Sequence, residues 1–250
     1  VYAGDRITVI PPDGGTTKTT VTDPLGRISD LDEYTAPPIL TTPANPFTGP
    51  WQVTGGTRST TRYGYDARGH RATVTDAQNT TWTSTYDLLG RVTAKSDPDA
   101  GTGTMAYDAV GNLTETTNSR HKTFSTTFDA VGRPTGRYAA EAMDQSEANQ
   151  LASWVYDNAN GAVAGMKYPI GHLTTATAYL GGTGTSGAAY TIQQTNFNVF
   201  GEPLGQKITI PSATVGPLLG LTYTYNHVYS TNTGLLLSDI YPAVGGLPKE

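Results

Sequence analysis

Along most of this chain, polar and apolar residues alternate one by one. In "TWTSTYD", residues 81–87, Trp82, Ser84 and Tyr86 fall on one side of an extended backbone and Thr81, Thr83 and Thr85 on the other. "TFSTTFD" repeats the arrangement with Phe124, Thr126 and Phe128, and Met105 and Tyr107 keep the same phase. A period of two marks strands in a sheet with unlike faces. The segments that follow, such as "RVTAKSD" and "NLTETTN", are similar in length and more polar, as return strands would be. One stretch departs from the pattern. "AAEAMDQSEANQLASW", residues 139–154, is rich in Ala, Glu and Gln, yet Met143, Ala148 and Leu151 make no clean apolar stripe. It reads either as a short helix or as an irregular loop leading into the strand "ASWVYD".

The strands end on a recurring phrase. Tyr65, Tyr86, Tyr107 and Phe128 are spaced 21 residues apart, and each is followed by Asp, two variable residues and Gly. Looser copies begin at Tyr156 and Phe197, at "TDPLGRI" (22–28) and near 223–238. A fixed period of this size names the architecture before anything else does. Asp favours the first position of a type I turn, because its carboxylate accepts a backbone N–H two residues on. Gly three residues later can take positive φ and close the turn into a hairpin with a bulge. The motif positions are therefore Tyr65, Asp66 and Gly69; Tyr86, Asp87, Gly90 and Arg91; Tyr107, Asp108 and Gly111; Phe128, Asp129, Gly132 and Arg133; Tyr156, Asp157 and Gly161; Phe197 and Gly201. One 21-residue unit is two strands and two turns. The expected fold is all-β: repeated antiparallel β-hairpins forming a long sheet that right-handed twist curls.

Composition agrees. About one residue in six is Thr, a residue suited to a half-exposed pleated surface, and 29 Gly and 16 Pro cut the chain into short pieces. The net charge of −5 comes with no basic run, which argues against a nucleic-acid surface. With no Cys there is no disulfide framework, thiolate metal site or Cys nucleophile. The best apolar run, "VGPLLGL" (215–221), is far short of the roughly 18 residues of a membrane span. The chain opens on "VYAGDR" without Met and stops soon after a strand-like run, so it reads as a piece of something longer.

The phrases "YDLLGRV", "YDAVGNL" and "FDAVGRP" resemble the YD repeats of the RHS family, whose relatives include bacterial toxin-complex proteins and animal teneurins. "GDRITVIPPDGGTTKTTVTDPLGR", "TATAYLGGTGTSGAAY" and "IYPAVGGLPKE" are similar to secreted RHS proteins of actinomycetes. The resemblance implies that residues 1–250 are one YD-repeat region, most regular over 57–138 and looser with insertions over 139–250. It implies a wall segment of a hollow β-shell, secreted or at the cell surface. Such a shell encloses or presents another part of the parent polypeptide, in toxin systems a C-terminal toxic domain. The expected partner is thus the rest of the parent chain, with no catalytic residues, cofactor or metal. A piece this short would leave sheet edges open to pairing with other chains.

Other readings of individual motifs are weaker. Asp23, Pro24 and Gly26 match the core of the DPxG self-cleavage motif of toxin-type RHS proteins. Lys18 stands where that family has Pro, and Arg27 follows as in an ordinary repeat, so "DPLG" reads as a repeat turn. "GTGTSG" (182–187) has dinucleotide-fingerprint spacing but precedes a strand-like segment instead of a helix. Asp97 and Asp99 offer two carboxylates where Ca²⁺ wants about six to eight oxygens. The rival reading is a binding module, in which exposed aromatics and Thr hydroxyls hold a surface glycan.

Overall fold

The structure is a computed structural model. It describes residues 2–12, 15–36, 38–41, 52–157, 165–179, 189–211 and 220–243. Among these, every regular element is a β-strand except a single 3-10 turn, Glu147–Asn149. The chain divides into two compact units, residues 1–105 and 106–250.

In the first unit each strand is hydrogen-bonded, antiparallel, to the next along the chain. Arg6–Val9, Thr17–Thr22, Ile28–Ala36, Thr57–Tyr65, Arg71–Thr75, Thr81–Tyr86, Val92–Asp97 and the start of Gly101–Tyr107 follow one another in this way. A separate pair, Ile39–Thr41 with Gln52–Thr54, lies within the long connection between Ala36 and Thr57. The second unit continues the same rule through Leu113–Thr117, Thr123–Phe128, Pro134–Tyr138, Gln150–Tyr156, Leu173–Tyr179, Ala189–Phe197, Pro203–Thr209, Thr222–Tyr229 and Leu236–Ile240. Most connections are too short to allow a crossover, which leaves antiparallel pairing with the chain neighbour as the ready arrangement.

Register gives the sheet its two faces. In the second unit one row runs Thr127, Gly136, Ser153, Thr177, Thr191, Thr209, Thr222 across seven strands. The adjacent positions give Trp154, Ala176, Ile192, Ile208 and Tyr223 on the other face. In the first unit Thr81, Thr83 and Thr85 are exposed, while Trp82, Ser84 and Tyr86 are half-buried. Cross-strand hydroxyl pairs tie the polar face together: Thr8 with Thr19 at 2.7 Å, Thr75 with Thr81 at 3.0 Å and Thr117 with Thr123 at 2.9 Å.

A thick apolar core is missing from the described residues, where only Tyr34, Met166 and Phe197 are buried hydrophobics. The fully buried side chains are instead Thr8, Thr19, Thr174 and Ser125. Cohesion therefore comes from ladder hydrogen bonds and cross-strand pairs, each contributing roughly 0.2–1 kcal/mol. Asp32, buried on this face, is held by the Thr60 hydroxyl at 2.6 Å and by Arg58 at 3.4 Å.

The stretch 139–149 takes the loop alternative. Met143 is 97% exposed, so no apolar side anchors a helix. The Asn149 amide instead donates to the Asp144 carbonyl, the Asp144 carboxylate and the Ser146 hydroxyl, and folds the segment on itself ahead of Gln150–Tyr156.

Strand Leu236–Ile240 is paired on one side only among the described residues, and Leu235, Leu236 and Leu237 are 67%, 51% and 66% exposed. An uncovered apolar edge templates strand addition. The chain is expected to self-associate with rising concentration, and Leu237→Lys to suppress this; multi-angle light scattering of both proteins checks it, with equal masses at all concentrations as the contrary result.

Candidate functional site: a ladder of hairpin corners

The chemistry of this chain gathers at its corners. At 87–91 the Asp87 Oδ1 accepts the backbone N–H of Leu89 and of Arg91, each at 2.9 Å. Its Oδ2 accepts from Arg91 Nε at 2.7 Å. The main chain closes twice, Gly90 N–H onto the Asp87 carbonyl at 3.1 Å and Asp87 N–H onto the Arg91 carbonyl at 3.0 Å. One carboxylate thus organises a five-residue turn, an Asx turn extended by two residues. Asp23, Asp66, Asp108 and Asp129 grip their own corners in the same way. Asn198 does so with its amide oxygen, which accepts from Phe200 and Glu202. Gly26, Gly69, Gly90, Gly111, Gly132 and Gly201 all carry positive φ.

Past each corner the return strand holds one extra residue. Tyr86 faces Val92 while Thr85 faces Ala94, which leaves Thr93 as a bulge; Ser29, Ala72, Thr135, Thr174, Leu204 and Leu237 occupy the same place elsewhere. Where that residue bears a hydroxyl, it bonds back to the incoming strand: Thr174 to the Val155 carbonyl at 2.9 Å, Thr135 to Thr127 at 2.9 Å, Thr93 with Thr85 at 3.1 Å. Bulges of this kind sharpen local twist.

The corners also lock onto one another. The residue after the corner Gly reaches the aromatic of the next unit. Arg27 lies 4.3 Å from the centre of the Tyr65 ring, His70 stacks on Tyr86 at 4.8 Å, Arg133 lies 4.3 Å from Tyr156 and His172 stacks on Phe197 at 4.4 Å. In the reverse direction, the Tyr65 hydroxyl donates to the Ile28 carbonyl and that of Tyr86 to the Arg71 carbonyl, both at 2.8 Å. The preceding unit's side chain even covers the glycine: a Cβ on Gly90 would sit 2.8 Å from His70 Nε2. Each corner is completed by its neighbours.

Residues 156–173 vary the theme. Asp157 has φ 59 and its N–H reaches the His172 carbonyl at 3.2 Å. Its carboxylate accepts the N–H of Gly171 at 2.6 Å and a fork from Arg133, so Arg133 bridges Asp129 and Asp157. The glycine engaged here is Gly171; Gly161 and the "GTGTSG" segment lie outside the described residues.

The second turn of each unit, expected from the two-turn repeat, is organised by a residue that the sequence reading did not name. Asp76 accepts from Gln78 and Thr80, and Asn118 from Arg120 and Lys122, with Asn79 and His121 taking the positive φ that glycine takes elsewhere. Asp97 turns its carboxylate onto the N–H groups of Asp99 and Ala100, which leaves it unsuited to a cation cage. The available signal was spacing, since Asp76, Asp97 and Asn118 also stand 21 residues apart. No group of three or more His, Asp or Glu able to hold a metal occurs among the described residues.

The corner carboxyls are held below the usual Asp range. The His70 side-chain hydrogen bond does this for Asp66 and the Arg N–H of the turn for Asp23 and Asp129. At Asp87 and Asp108 partial desolvation pulls upward but is outweighed by the hydrogen bonds of the turn. Arg133, between two carboxylates, is pushed up, with the Asp157 hydrogen bond as the main cause.

The RHS repeat family model matches residues 65–102, two of these corners and the strands between them. The chain carries an RHS repeat. Solved structures share the fold. The TcdB2-TccC3-Cdc42 crystal structure superposes with TM-score 0.62 at 17% identity, covering 90% of this chain and 11% of that one. The Tc holotoxin pore of Photorhabdus luminescens gives 0.61 at 15%, covering 91% and 11%. This chain therefore spans about a ninth of the chains it matches. No curated protein matches it. It has no helix long and apolar enough to cross a membrane among the described residues.

Two measurements probe the corners. Gly90→Ala forces a side chain into positive φ and onto His70, with an expected cost of about 1–2 kcal/mol in denaturant unfolding. Asp87→Asn, which keeps the Oδ1 acceptor as Asn198 does, is expected to destabilise less than Asp87→Ala. On acidification the sign is fixed: carboxyls with lowered folded pKa add stability above the unfolded value, about 3.9, and lose it as pH falls through the folded values. Circular dichroism melts are expected to be level from neutral pH to about 5 and to drop steeply below about 4; a flat profile to strongly acid pH is the contrary outcome.

Proposed function

We propose that residues 1–250 form a single YD-repeat region that serves as a non-catalytic wall element of a larger β-shell, enclosing another part of its parent polypeptide. The observation that carries this is the interlocking of the corners. Tyr65 and Tyr86 lend hydroxyls backward, and Arg27, His70, Arg133 and His172 lend side chains forward, so these units are complete only inside a longer series. The RHS match and the fold shared with TcdB2-TccC3 over 11% of its length support the same reading. The corner carboxylates are spent on backbone N–H groups and adjacent side chains, which favours a scaffold over a catalyst. In this reading the enclosed part is a C-terminal toxin domain and the protein acts outside the cell that makes it.

The test is limited proteolysis of the parent polypeptide. The segment C-terminal to the repeats is expected to resist protease while the repeats are folded, and to be digested once Gly90→Ala and Gly132→Ala together loosen the ladder. Equal digestion in both forms would sink the enclosure reading.

A further inference from the structure

One pocket stands apart from the corners. It lies on the face of the second unit that carries Trp154, Ile192, Ile208 and Tyr223, between strands Pro203–Thr209, Thr222–Tyr229 and Leu236–Ile240. Period-two alternation in "TYTYNHVY" sends Tyr223, Tyr225 and His227 to this side. Pairing sets Gln206 beside Tyr225, and Asp239 beside His227. Tyr241 closes the end, its ring edge-on to Tyr225 at 5.8 Å and 83°, and still 51% exposed. The pocket measures about 170 Å³, and Gln206, Ile208, Tyr225, His227, Asp239 and Tyr241 line it.

Its chemistry is selective. No Lys or Arg lines it, so a phosphate, a nucleic acid or a carboxylate ligand finds no counter-charge there. Asp239 is the one carboxylate, and one of its oxygens is bound to His227 Nδ1 at 2.6 Å. That is too few oxygens for a metal and one carboxylate short of the pair that glycoside hydrolysis uses. What remains is an aromatic corner with an amide and an imidazole, which between them donate and accept, and a carboxylate oxygen that accepts. Rings pack against the C–H face of a sugar while planar polar groups bond its neighbouring hydroxyls. Polar side chains continue along this same face. Gln194 lies across from Gln206, and Tyr223 is next but one to Tyr225 on the same strand. The Gln194 Oε1 and the Tyr223 hydroxyl are both buried without a hydrogen-bond partner among the described residues. Unmatched buried polar atoms are costly, and a bridging water would satisfy them; neither residue lines the pocket itself.

We propose that this pocket is a binding site for a neutral oligosaccharide, with Tyr225 and Tyr241 as the platform and Gln206, His227 and Asp239 as the hydrogen-bonding groups. The inference turns the glycan reading of the sequence into a specific site and is independent of the shell wall. Isothermal titration of the whole chain with cellotetraose and with the tetramer of N-acetylglucosamine tests it, with glucose 6-phosphate as the charged comparison. Saturable binding of at least one neutral tetrasaccharide is expected, weakened about tenfold by Gln206→Ala and by Asp239→Asn, the value of roughly one hydrogen bond. Trp82→Ala, in the other unit, is expected to leave it unchanged. Absence of binding to both tetrasaccharides, equal affinity in both pocket variants, or preference for the phosphorylated sugar would overturn the proposal.

Discussion

A carboxylate oxygen that accepts two main-chain N–H groups, from the second and fourth residues beyond it, holds the corners of this chain. Turns leave backbone donors without ladder partners, and such donors are expensive unless something accepts from them. Asp meets that need from within the turn, at the point where the chain reverses. Everything else is arranged around this grip. Gly supplies the positive φ that the fourth position requires, and the fifth residue is left pointing along the edge of the sheet, where Arg27, His70, Arg133 and His172 meet the next aromatic ring.

That arrangement explains how a nearly coreless sheet holds together. Most strands have half-buried side chains on both faces, and few apolar residues among those described leave water completely. Stability is spread over many small cross-strand terms, and the corner ladder keeps the strands in register so that those terms can add. The bulge after the aromatic–Asp corners then lets the aromatic stay in phase with its predecessor although the turn holds an odd number of residues. A repeat so built has no natural end, because units borrow from the ones beside them, which is the physical basis for reading this chain as wall material.

The same logic separates the corners from the pocket at Gln206, Tyr225 and Asp239. Corner carboxylates are consumed by structure, whereas Asp239 binds the His227 imidazole across the strand and stays partly exposed. Aromatics in the corner ladder are covered by the preceding unit's side chain, but Tyr241 meets only the edge of Tyr225 and opens to solvent. An aromatic and a carboxylate that no corner uses are free to recognise something else.

Local chemistry was written in the chain. Alternation in "TWTSTYD" told strand from helix, and Asp with Gly three residues on told where the strand turns, because both effects act within a few residues of one another. The 21-residue spacing told that successive hairpins repeat. Asp76 and Asn118 were less legible, since Asn79 and His121 stand where glycine usually marks a turn, and their geometry depends on strands already paired. The loop at 139–149 had no periodic signal to settle it and was decided by where the Asn149 amide could donate. Only the tertiary structure set the side chain after each glycine against the next unit's ring, the Tyr hydroxyls on the preceding unit's carbonyls, and Gln206 beside Tyr225 and Tyr241 near Asp239. Those meetings depend on the register between paired strands and successive units, which the sum of many weak cross-strand contacts fixes and no single short stretch of sequence encodes.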